Sequence, residues 1–274
     1  MDTDALGDRM KGYEMAEAGR MCMPGLPIML RLDGKAFHTF TRGLKRPYDE
    51  RLTNLMIDTT KYLVEKTNAV VGYTQSDEIS LCLYTADPNT ELFYNGRTQK
   101  LCSVVTSMAT RYFNKNLPKA LPEKVDADAD FDCRVWNVPT LMEAANVFVW
   151  RELDATKNAI SMAAQHYFSH KELQNKHGGE MQEMLFSVYG VNFDTYPSFF
   201  KRGSYIRRVK KMTKFTFDEI CRLPDKHAAR FDPDLVVERS VVERVELPKM
   251  SKVTNKVDVL FYGKDPETLE LTNV

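Results

Sequence analysis

The sequence lacks an excess of charge, a cysteine pattern and a long apolar run. Its 274 residues carry 38 lysines and arginines against 38 aspartates and glutamates, so any nucleic-acid-binding surface has to be a local one. The five cysteines form no C-x-x-C pair, which favours reduced thiols in a cytoplasmic compartment over a disulfide framework. The first ten residues hold no signal-peptide core, and no stretch reaches the ~18 apolar residues of a membrane span. We therefore expect a cytoplasmic protein without a membrane anchor.

The composition and the order of elements predict a globular α+β protein. Apolar residues make up 43% of the chain and charged residues 28%, which is ordinary for a chain with a substantial core. Strand-like and helix-like periods follow the order β-α-β-β-α-β, which predicts a ferredoxin-like (split βαβ) fold with helical additions. Its two helices cover one face of the sheet, and we expect the other face to be open for a ligand. The strands are Ile28–Leu32, Val70–Gln75, Ile79–Tyr84 and Phe131–Trp136, and the helices run from Pro47 to Lys66 and from Arg97 to Lys115.

The rest of the chain adds helices and then strand-like runs. A long helix is predicted at Thr140–Phe168 and a short one at Glu180–Val188. Strand character is found in the runs Leu235–Val237, Val241–Leu247 and Val257–Tyr262. We expect a catalytic domain over 1–140, a helical and basic part of the same unit over 141–215, and a C-terminal extension over 216–274 with no assigned role.

Asp33 and Asp77 are the first candidates for chemistry. Asp33 ends the first strand and precedes Gly34, and Asp77 lies in the polar hairpin tip Gln75–Glu78. Because the first and third strands are central neighbours in this topology, both carboxylates can reach one spot on the sheet. The pattern favours a site for two Mg²⁺ ions that serves phosphoryl transfer, held by the two carboxylates and the Gly34 carbonyl. An Asp-Gly turn without function is the alternative for Asp33.

Further polar residues complete this hypothesis. Glu78 is a further candidate ligand or points away, and Ser76 suits contact with a phosphate. Cations that suit a triphosphate are Lys35, Arg46, Arg97 and Lys100, the last two lying in the first turn of a helix, where anions bind well. For that helix, a solvated charged face is the alternative.

A basic stretch follows the helices. Lysines and arginines are dense from Lys201 to Lys211 and are interleaved with Tyr205, a combination that suits a phosphate backbone. We therefore expect Lys201, Arg202, Arg207 and Arg208 to contact RNA. The alternative is a basic sheet edge that discourages aggregation.

The chain resembles the tRNA-His guanylyltransferases and their Thg1-like relatives, the 3′-5′ polymerases. The matching blocks are L-R-L-D-G-K-A-F-H-T-F (30–40), R-P-Y-D (46–49), G-Y-T-Q-S-D-E-I-S (72–80), W-R-E-L-D-A (150–155) and F-K-R-G-S (200–204). The resemblance spans roughly residues 5–210, whereas the last sixty or so residues match weakly.

The resemblance implies a palm-type polymerase domain that adds nucleotides to the 5′ end of tRNA. The 3′-OH of an incoming nucleotide attacks a 5′ end activated as a triphosphate or by adenylylation with ATP, and GTP is a further substrate. Family members are commonly homotetramers. The implied roles are metal binding by Asp33, Gly34 and Asp77, catalysis by these acids with Ser76 and Glu78, nucleotide binding by Lys35, Ala36, Phe37, His38, Arg46, Ser76, Arg97 and Lys100, and tRNA binding by Asp154 and Asn158.

Three departures from the family pattern bear on specificity. Arg46 replaces the family's lysine before the P-x-D element, and Met181 falls where a lysine is expected. The H-I-N-x-x-Y-N element of enzymes acting on tRNA-His reads T-K-N-A-I-S-M (156–162) here, so only Asn158 remains. These departures favour the Thg1-like branch, which repairs 5′ ends by templated pairing.

Two other functions compete with this hypothesis. A nucleotidyl cyclase, or another palm-fold transferase that acts without RNA, fits the acids but not the basic stretch. A non-catalytic RNA-binding module fits the basic stretch but gains nothing from two carboxylates that repel RNA.

Overall fold

A computed structural model describes residues 3–232 and 234–268 and shows a mixed fold of helices around one antiparallel sheet. The six strands lie in the order β4-β1-β3-β2-β5-β6. They are β1 (Ile28–Gly34), β2 (Val71–Gln75), β3 (Glu78–Leu83), β4 (Phe131–Asn137), β5 (Ser204–Lys214) and β6 (Val236–Val245). The α-helices are α1 (Thr3–Ala18), α2 (Phe37–Phe40), α3 (Glu50–Thr67), α4 (Thr98–Ala120), α5 (Leu141–Tyr167), α6 (His170–Leu173), α7 (Gly178–Tyr189), α8 (Ser198–Arg202) and α9 (Phe217–Arg222).

The predicted pairing of the first and third strands is confirmed. Strand β1 pairs antiparallel with β3, so that Ile28 lies opposite Leu83 and Asp33 lies opposite Glu78. On its other side β1 pairs with β4, where Asp33 lies opposite Asp132. The end of β1 is therefore surrounded by acidic positions of two neighbouring strands.

Helices α3 and α4 cover the first face of the sheet. Leu30 and Leu32 of β1 point to this face and are fully buried against residues such as Phe113 of α4. Helix α4 is longer than predicted and runs to Ala120 instead of Lys115. The reason is that Leu117 continues the four-residue apolar spacing of the helix and is itself buried, so packing carries the helix through its last turn.

The expectation of an open second face is wrong, because α5 and the C-terminal segment cover it. Met29, Tyr73 and Cys82 alternate with the first-face residues and are themselves fully buried, together with Phe148 of α5. A strand that is apolar on both sides needs cover on both sides. Buried Glu152 of α5 anchors this layer. Its carboxylate accepts hydrogen bonds from the Tyr205 hydroxyl at 2.9 Å and from the Met250 backbone N–H at 3.1 Å.

The C-terminal part differs from the prediction in two places. The run Val257–Tyr262 is not a strand: Asp258–Tyr262 forms a wide helical turn that buries Val259 and Leu260. The runs Leu235–Val237 and Val241–Leu247 lie largely in one strand, β6 (Val236–Val245), which pairs with β5 along its whole length. Strand β5 lies between β2 and β6, but β2 pairs with it only from Ser204 to Arg207, and among the described residues no strand pairs on that side beyond Arg207. The alternative that 201–211 forms a sheet edge is therefore wrong for the strand up to Arg207 and holds for Arg208 to Lys211. Across the described ranges, none of the helices has the length and apolar character needed to span a membrane.

Asp49 fixes the start of α3. Its side chain is 2% exposed and accepts hydrogen bonds from the Arg51 backbone N–H at 3.0 Å and from the Arg51 guanidinium at 2.7 and 3.0 Å. These bonds from Arg51 lower the pKa of Asp49 to about 2. The ionised carboxylate is thus both the helix cap and the partner of a cation.

We expect Asp49→Asn to lower the free energy of unfolding by about 1–3 kcal/mol at pH 7, because the cap and a charge-assisted bond are weakened. A depressed carboxyl pKa stabilises the fold above the unfolded pKa, and this contribution disappears as pH falls from about 4 to about 2. Urea denaturation at pH 7 and at about pH 2 measures the difference in the free energy of unfolding between Asp49→Asn and the unchanged chain. It should shrink at low pH, and Asp58→Asn, an exposed carboxylate on the same helix, should show neither effect. A deficit equal at both pH values would contradict this account.

Candidate active site

Asp33 and Asp77 meet where β1 ends and the β2–β3 hairpin turns. Gln75 pairs with Glu78, so Ser76 and Asp77 form the two-residue turn, with Ser76 in the left-handed region at φ 50°. The Gly34 backbone N–H donates to the Asp77 carbonyl at 3.1 Å. This bond ties the turn to the end of β1 and places the two acids side by side.

Two arginines bind one oxygen of Asp33. Its Oδ2 accepts from Arg31 Nε at 3.2 Å and from Arg134 Nη1 at 3.1 Å. The arginines lie opposite each other on β1 and β4, on the same side of the sheet as Asp33. Within the described ranges Oδ1 of Asp33 has no hydrogen bond, so one oxygen is left for a further partner.

Asp77 is held in a setting that disfavours its negative charge. Burial raises the pKa of Asp77, and the negative charge of Asp33 raises it further. A cation next to both carboxylates would offset the desolvation and the repulsion together. No cluster of three or more His, Cys, Asp or Glu side chains suited to a metal is found in the described part of the chain. A metal here would therefore rely on two carboxylates and backbone oxygen.

Glu78 has partners for both of its oxygens. Arg151 of α5 donates to Oε1 at 2.7 Å and to Oε2 at 2.6 Å, and both side chains are more than 90% buried. Arg151 also donates to Asp154 at 3.0 Å, and its guanidinium lies over the Trp150 ring, 4.5 Å from the centroid. The bidentate pair joins the sheet to α5 next to the acids.

A cavity of about 560 Å³ opens beside Asp77. Seven of the predicted residues line it, together with Lys45: Gly34, Ala36, Phe37, His38, Arg46, Ser76 and Asp77. Aromatic rings form part of its wall, with Tyr48 lying 5.3 Å from Phe199 and 4.8 Å from Phe200 between ring centroids. The volume, the cations and the rings suit a nucleotide.

The Phe37 side chain leaves no room for a Cβ at position 34, so glycine is needed there for packing within the protein as well as for a ligand. A Cβ at this position would lie 2.3 Å from the Phe37 ring. Phe37 is buried and packs on Phe131 and Phe113, 5.4 and 5.8 Å away between ring centroids. The close approach of this ring fixes the segment that follows β1 and so shapes the cavity floor.

Three predicted triphosphate contacts lie outside this cavity. The Lys35 side chain is 75% exposed and its Nζ lies 3.9 Å from Asp130. Arg97 and Lys100 start α4, whose preceding Gly96 packs against Ile28, the first residue of β1. Strand β1 is seven residues long, which separates Ile28 from Gly34 by about 20 Å. Helix α4 follows β3, which runs antiparallel to β1, so it must begin at the end away from Asp33. The structure does not bring Arg97 and Lys100 to the carboxylates, and Lys35 does not line the cavity beside them.

The predicted tRNA contacts have partners within the chain, apart from Asn158, which is exposed on α5. Asp154 accepts from Arg151, and Lys201 donates to the Asp194 carbonyl. The other contacts are Arg202 to the Leu247 carbonyl at 3.4 Å, Arg207 to the Val259 carbonyl at 2.6 Å, and Arg208 to the Glu65 carbonyl at 3.1 Å and Asn68 Oδ1 at 3.0 Å. Arg207 and Arg208 lie towards the end of β2 away from Asp77, since Val71 is paired with Arg207.

Sequence reasoning missed the arginines that hold the acids. Arg31 lies two residues before Asp33, and a period of two places both on one face of the strand. That spacing was a usable signal. Arg151 lies within the block W-R-E-L-D-A, but no local pattern shows that it reaches Glu78, 73 residues away.

Comparisons with known proteins agree with the geometry. The family model described as tRNAHis guanylyltransferase matches residues 7–139. The tRNA(His) guanylyltransferase of Schizosaccharomyces pombe is 31% identical over 208 residues, covering 71% of this chain and 77% of the relative. A bacterial tRNA(His) guanylyltransferase (Thg1)-like protein in complex with ATP has a TM-score of 0.76 and 34% identity, over 94% of this chain and 99% of that one. The bacterial Thg1-like protein in complex with GTP has a TM-score of 0.68 and 33% identity, over 90% and 94%.

The antiparallel sheet, its flanking helices and these matches define the class of the protein. The chain belongs to the tRNA(His) guanylyltransferase (Thg1) family. The resemblance stated from the sequence blocks is thereby confirmed.

We expect Arg151→Met to lower the free energy of unfolding by about 3–5 kcal/mol, because it leaves the Glu78 carboxylate buried without its partner. The double variant Glu78→Gln/Arg151→Met should lose less than Arg151→Met alone, since the uncompensated charge is then absent. Urea denaturation measures both. Arg134→Met removes a 56% exposed partner of Asp33 and should change stability by less than about 1 kcal/mol. A double variant less stable than Arg151→Met would contradict the interpretation that Arg151 compensates the buried charge of Glu78.

Proposed function

We propose that this protein adds nucleotides in the 3′-5′ direction to the 5′ end of tRNA. The observation that carries the proposal is the position of Asp77 on the lining of a cavity of nucleotide size that holds cations and aromatic rings. Asp33 lies at the adjoining end of β1, which the Gly34 N–H bond to the Asp77 carbonyl ties to the hairpin turn. Its tRNA(His) guanylyltransferase relatives and its structural neighbours in complex with ATP and with GTP support the same substrates. ATP and GTP are accordingly proposed as nucleotides for this chain.

In the proposed reaction, the 3′-OH of the incoming nucleotide attacks the α-phosphorus of the activated 5′ end. A new P–O bond forms, and pyrophosphate leaves from a triphosphate end, or AMP leaves from an adenylylated end. Lys45 and Arg46 place positive charge at the cavity, where phosphates bind. Ser76 can donate to a phosphate oxygen, His38 contributes a further polar group, and the wall of Tyr48, Phe199 and Phe200 offers rings for a base to stack on.

The donor set fits magnesium. Asp33 keeps one oxygen without a hydrogen bond in the part of the chain described, Asp77 gains from a neighbouring cation, and hard oxygen ligands are those that Mg²⁺ prefers. We propose that Asp33, Asp77 and the Gly34 carbonyl hold two Mg²⁺ ions. When bound, these ions supply activation of the hydroxyl and charge neutralisation at the phosphates. Glu78 is proposed as a positioning residue, since Arg151 occupies both of its oxygens.

The finer features of the fold and assembly are also proposals. Strands β4-β1-β3-β2 with α3 and α4 support a ferredoxin-like palm domain over 1–140. Residues 141–215 are proposed to contact tRNA through Asp154, Asn158, Lys201, Arg202, Arg207 and Arg208, with 216–274 as an extension. We also propose a cytoplasmic location, on the basis of the unpaired cysteines, and a homotetramer, which the family resemblance implies and light scattering tests.

We expect Asp77→Asn to abolish detectable nucleotide addition while leaving the fold intact, because the substitution removes a ligand charge and a repulsion. Addition to a 5′-truncated tRNA in Mg²⁺, thermal unfolding, and Mn²⁺ binding by electron paramagnetic resonance measure activity, fold and metal separately. Asp87→Asn, an exposed carboxylate in the loop after β3, serves as control. Unchanged addition and unchanged Mn²⁺ binding in Asp77→Asn would defeat the metal assignment.

We expect addition to follow the opposing template base, because the element typical of enzymes acting on tRNA-His is replaced by T-K-N-A-I-S-M (156–162). The experiment supplies 5′-truncated tRNAs with each of the four nucleoside triphosphates singly. Incorporation matched to the template base identifies a repair polymerase. Addition of G alone, and only to tRNA-His, would contradict this specificity, and a cyclic product formed without RNA would contradict the proposed reaction.

A further inference from the structure

A second cavity of about 860 Å³ lies towards the other end of the sheet. Its walls come from the end of α3 and the residues that lead to β2, from the segment after β3, from the middle of β5 and from the C-terminal turn Asp258–Tyr262. None of its lining residues is shared with the cavity beside Asp77. It is thus a concave site separate from the cavity beside Asp77, and its lining includes Arg207 and Arg208, two of the residues proposed above to contact tRNA.

Among the described residues, three of the four cations that line this second cavity form no ion pair with an acid. In the described ranges, neither Arg207 nor Arg208 forms an ion pair, and both donate to neutral acceptors instead. The Arg207 Nε is buried and has no hydrogen-bond partner there. Lys66 adds a third cation that has no ion pair among the described residues, while Glu91 is the acid on the lining. The guanidinium groups therefore carry charge that an anion can still compensate.

The lysines of β5 differ from Arg207 and Arg208, because each of them pairs with an acid. Lys211 pairs with Glu243 at 2.6 Å and Lys214 with Asp234 at 2.7 Å. Lys210, which also lines the cavity, pairs with Glu238 at 2.8 Å. Along one strand, acids thus neutralise the lysines but not the two arginines at the cavity.

Aromatic rings stand beside these arginines. Tyr84 and Phe93 line the cavity from one side, and Phe261 and Tyr262 from the C-terminal turn. Tyr262 is 60% exposed, which leaves its ring accessible. Phosphate-binding cations next to accessible rings are the combination that recognises a phosphate and a base together.

We propose that this cavity binds a second nucleotide, with its phosphate against Arg207 and Arg208 and its base among the aromatic rings. A free nucleotide at this cavity goes beyond the proposed reaction, which needs the cavity beside Asp77, whereas a nucleotide of the tRNA rests on the tRNA contacts proposed for Arg207 and Arg208. The nucleotide is either a free nucleoside triphosphate or a nucleotide of the bound tRNA, because both present a phosphate and a base.

The test is photolabelling of the full-length chain with 8-azido-ATP, followed by identification of the labelled peptides by mass spectrometry. We expect saturable labelling of peptides that contain Tyr84, Phe93 or Tyr262. Arg208→Ala should lower that labelling roughly tenfold, which corresponds to one lost charge-assisted contact. Lys211→Ala removes a cation of the same strand and should leave it unchanged. Unaltered labelling of the peptide around residues 36–48 verifies that each variant is folded.

Competition identifies the source of the nucleotide. Suppression of the label by unlabelled ATP but not by tRNA means a free nucleotide, and suppression by both means that a nucleotide of the RNA also enters the cavity. Labelling that does not saturate, that neither competitor suppresses, or that falls equally in Arg208→Ala and Lys211→Ala overturns the proposal. Failure of nucleotide addition to tRNA with this labelling intact would overturn the proposed function instead.

Discussion

The buried pair between Glu78 and Arg151 is the interaction on which the candidate active site depends. Glu78 stands directly after Asp77 and opposite Asp33, so the position of its side chain is coupled to both acids. Arg151 brings α5 to this point, and the same helix supplies residues from Ala155 to Gln165 to the cavity wall. A buried charge without its partner is costly, so this contact sets the distance between the hairpin tip and α5.

Positive charge in this protein is arranged in two ways. Around the acids, Arg31, Arg134 and Arg151 each contact a carboxylate and hold it in place. At the far cavity, Arg207 and Arg208 have only neutral partners in the described part of the chain. The net charge of zero hides this difference, because it counts both kinds of cation against the same acids.

Much of the fold was predictable, because the order of strands and helices determines which strands are neighbours. The meeting of Asp33 with the hairpin tip followed from that order. The same order implies that α4 starts away from Asp33, so the failure of Arg97 and Lys100 to join the site follows from chain direction. Residue patterns could not reveal that α5 covers the second face, or that Arg151 reaches Glu78, because both depend on packing between distant segments. The short apolar run at Val257–Tyr262 fits a strand and a helical turn equally well.

The length of β5 has a consequence for the stability of its outer part. Strand β2 pairs with β5 only from Ser204 to Arg207, whereas β6 pairs with it up to Lys214. Beyond Arg207 the backbone ladder is therefore two-stranded, and lysine–acid pairs across the strands support it. A two-stranded ladder on its own is only marginally stable in water. Exposed ion pairs contribute less to stability as the salt concentration rises. This arm can thus open locally, with its amide hydrogens exchanging before those of β1 and β3, while the central sheet and the acids stay in place.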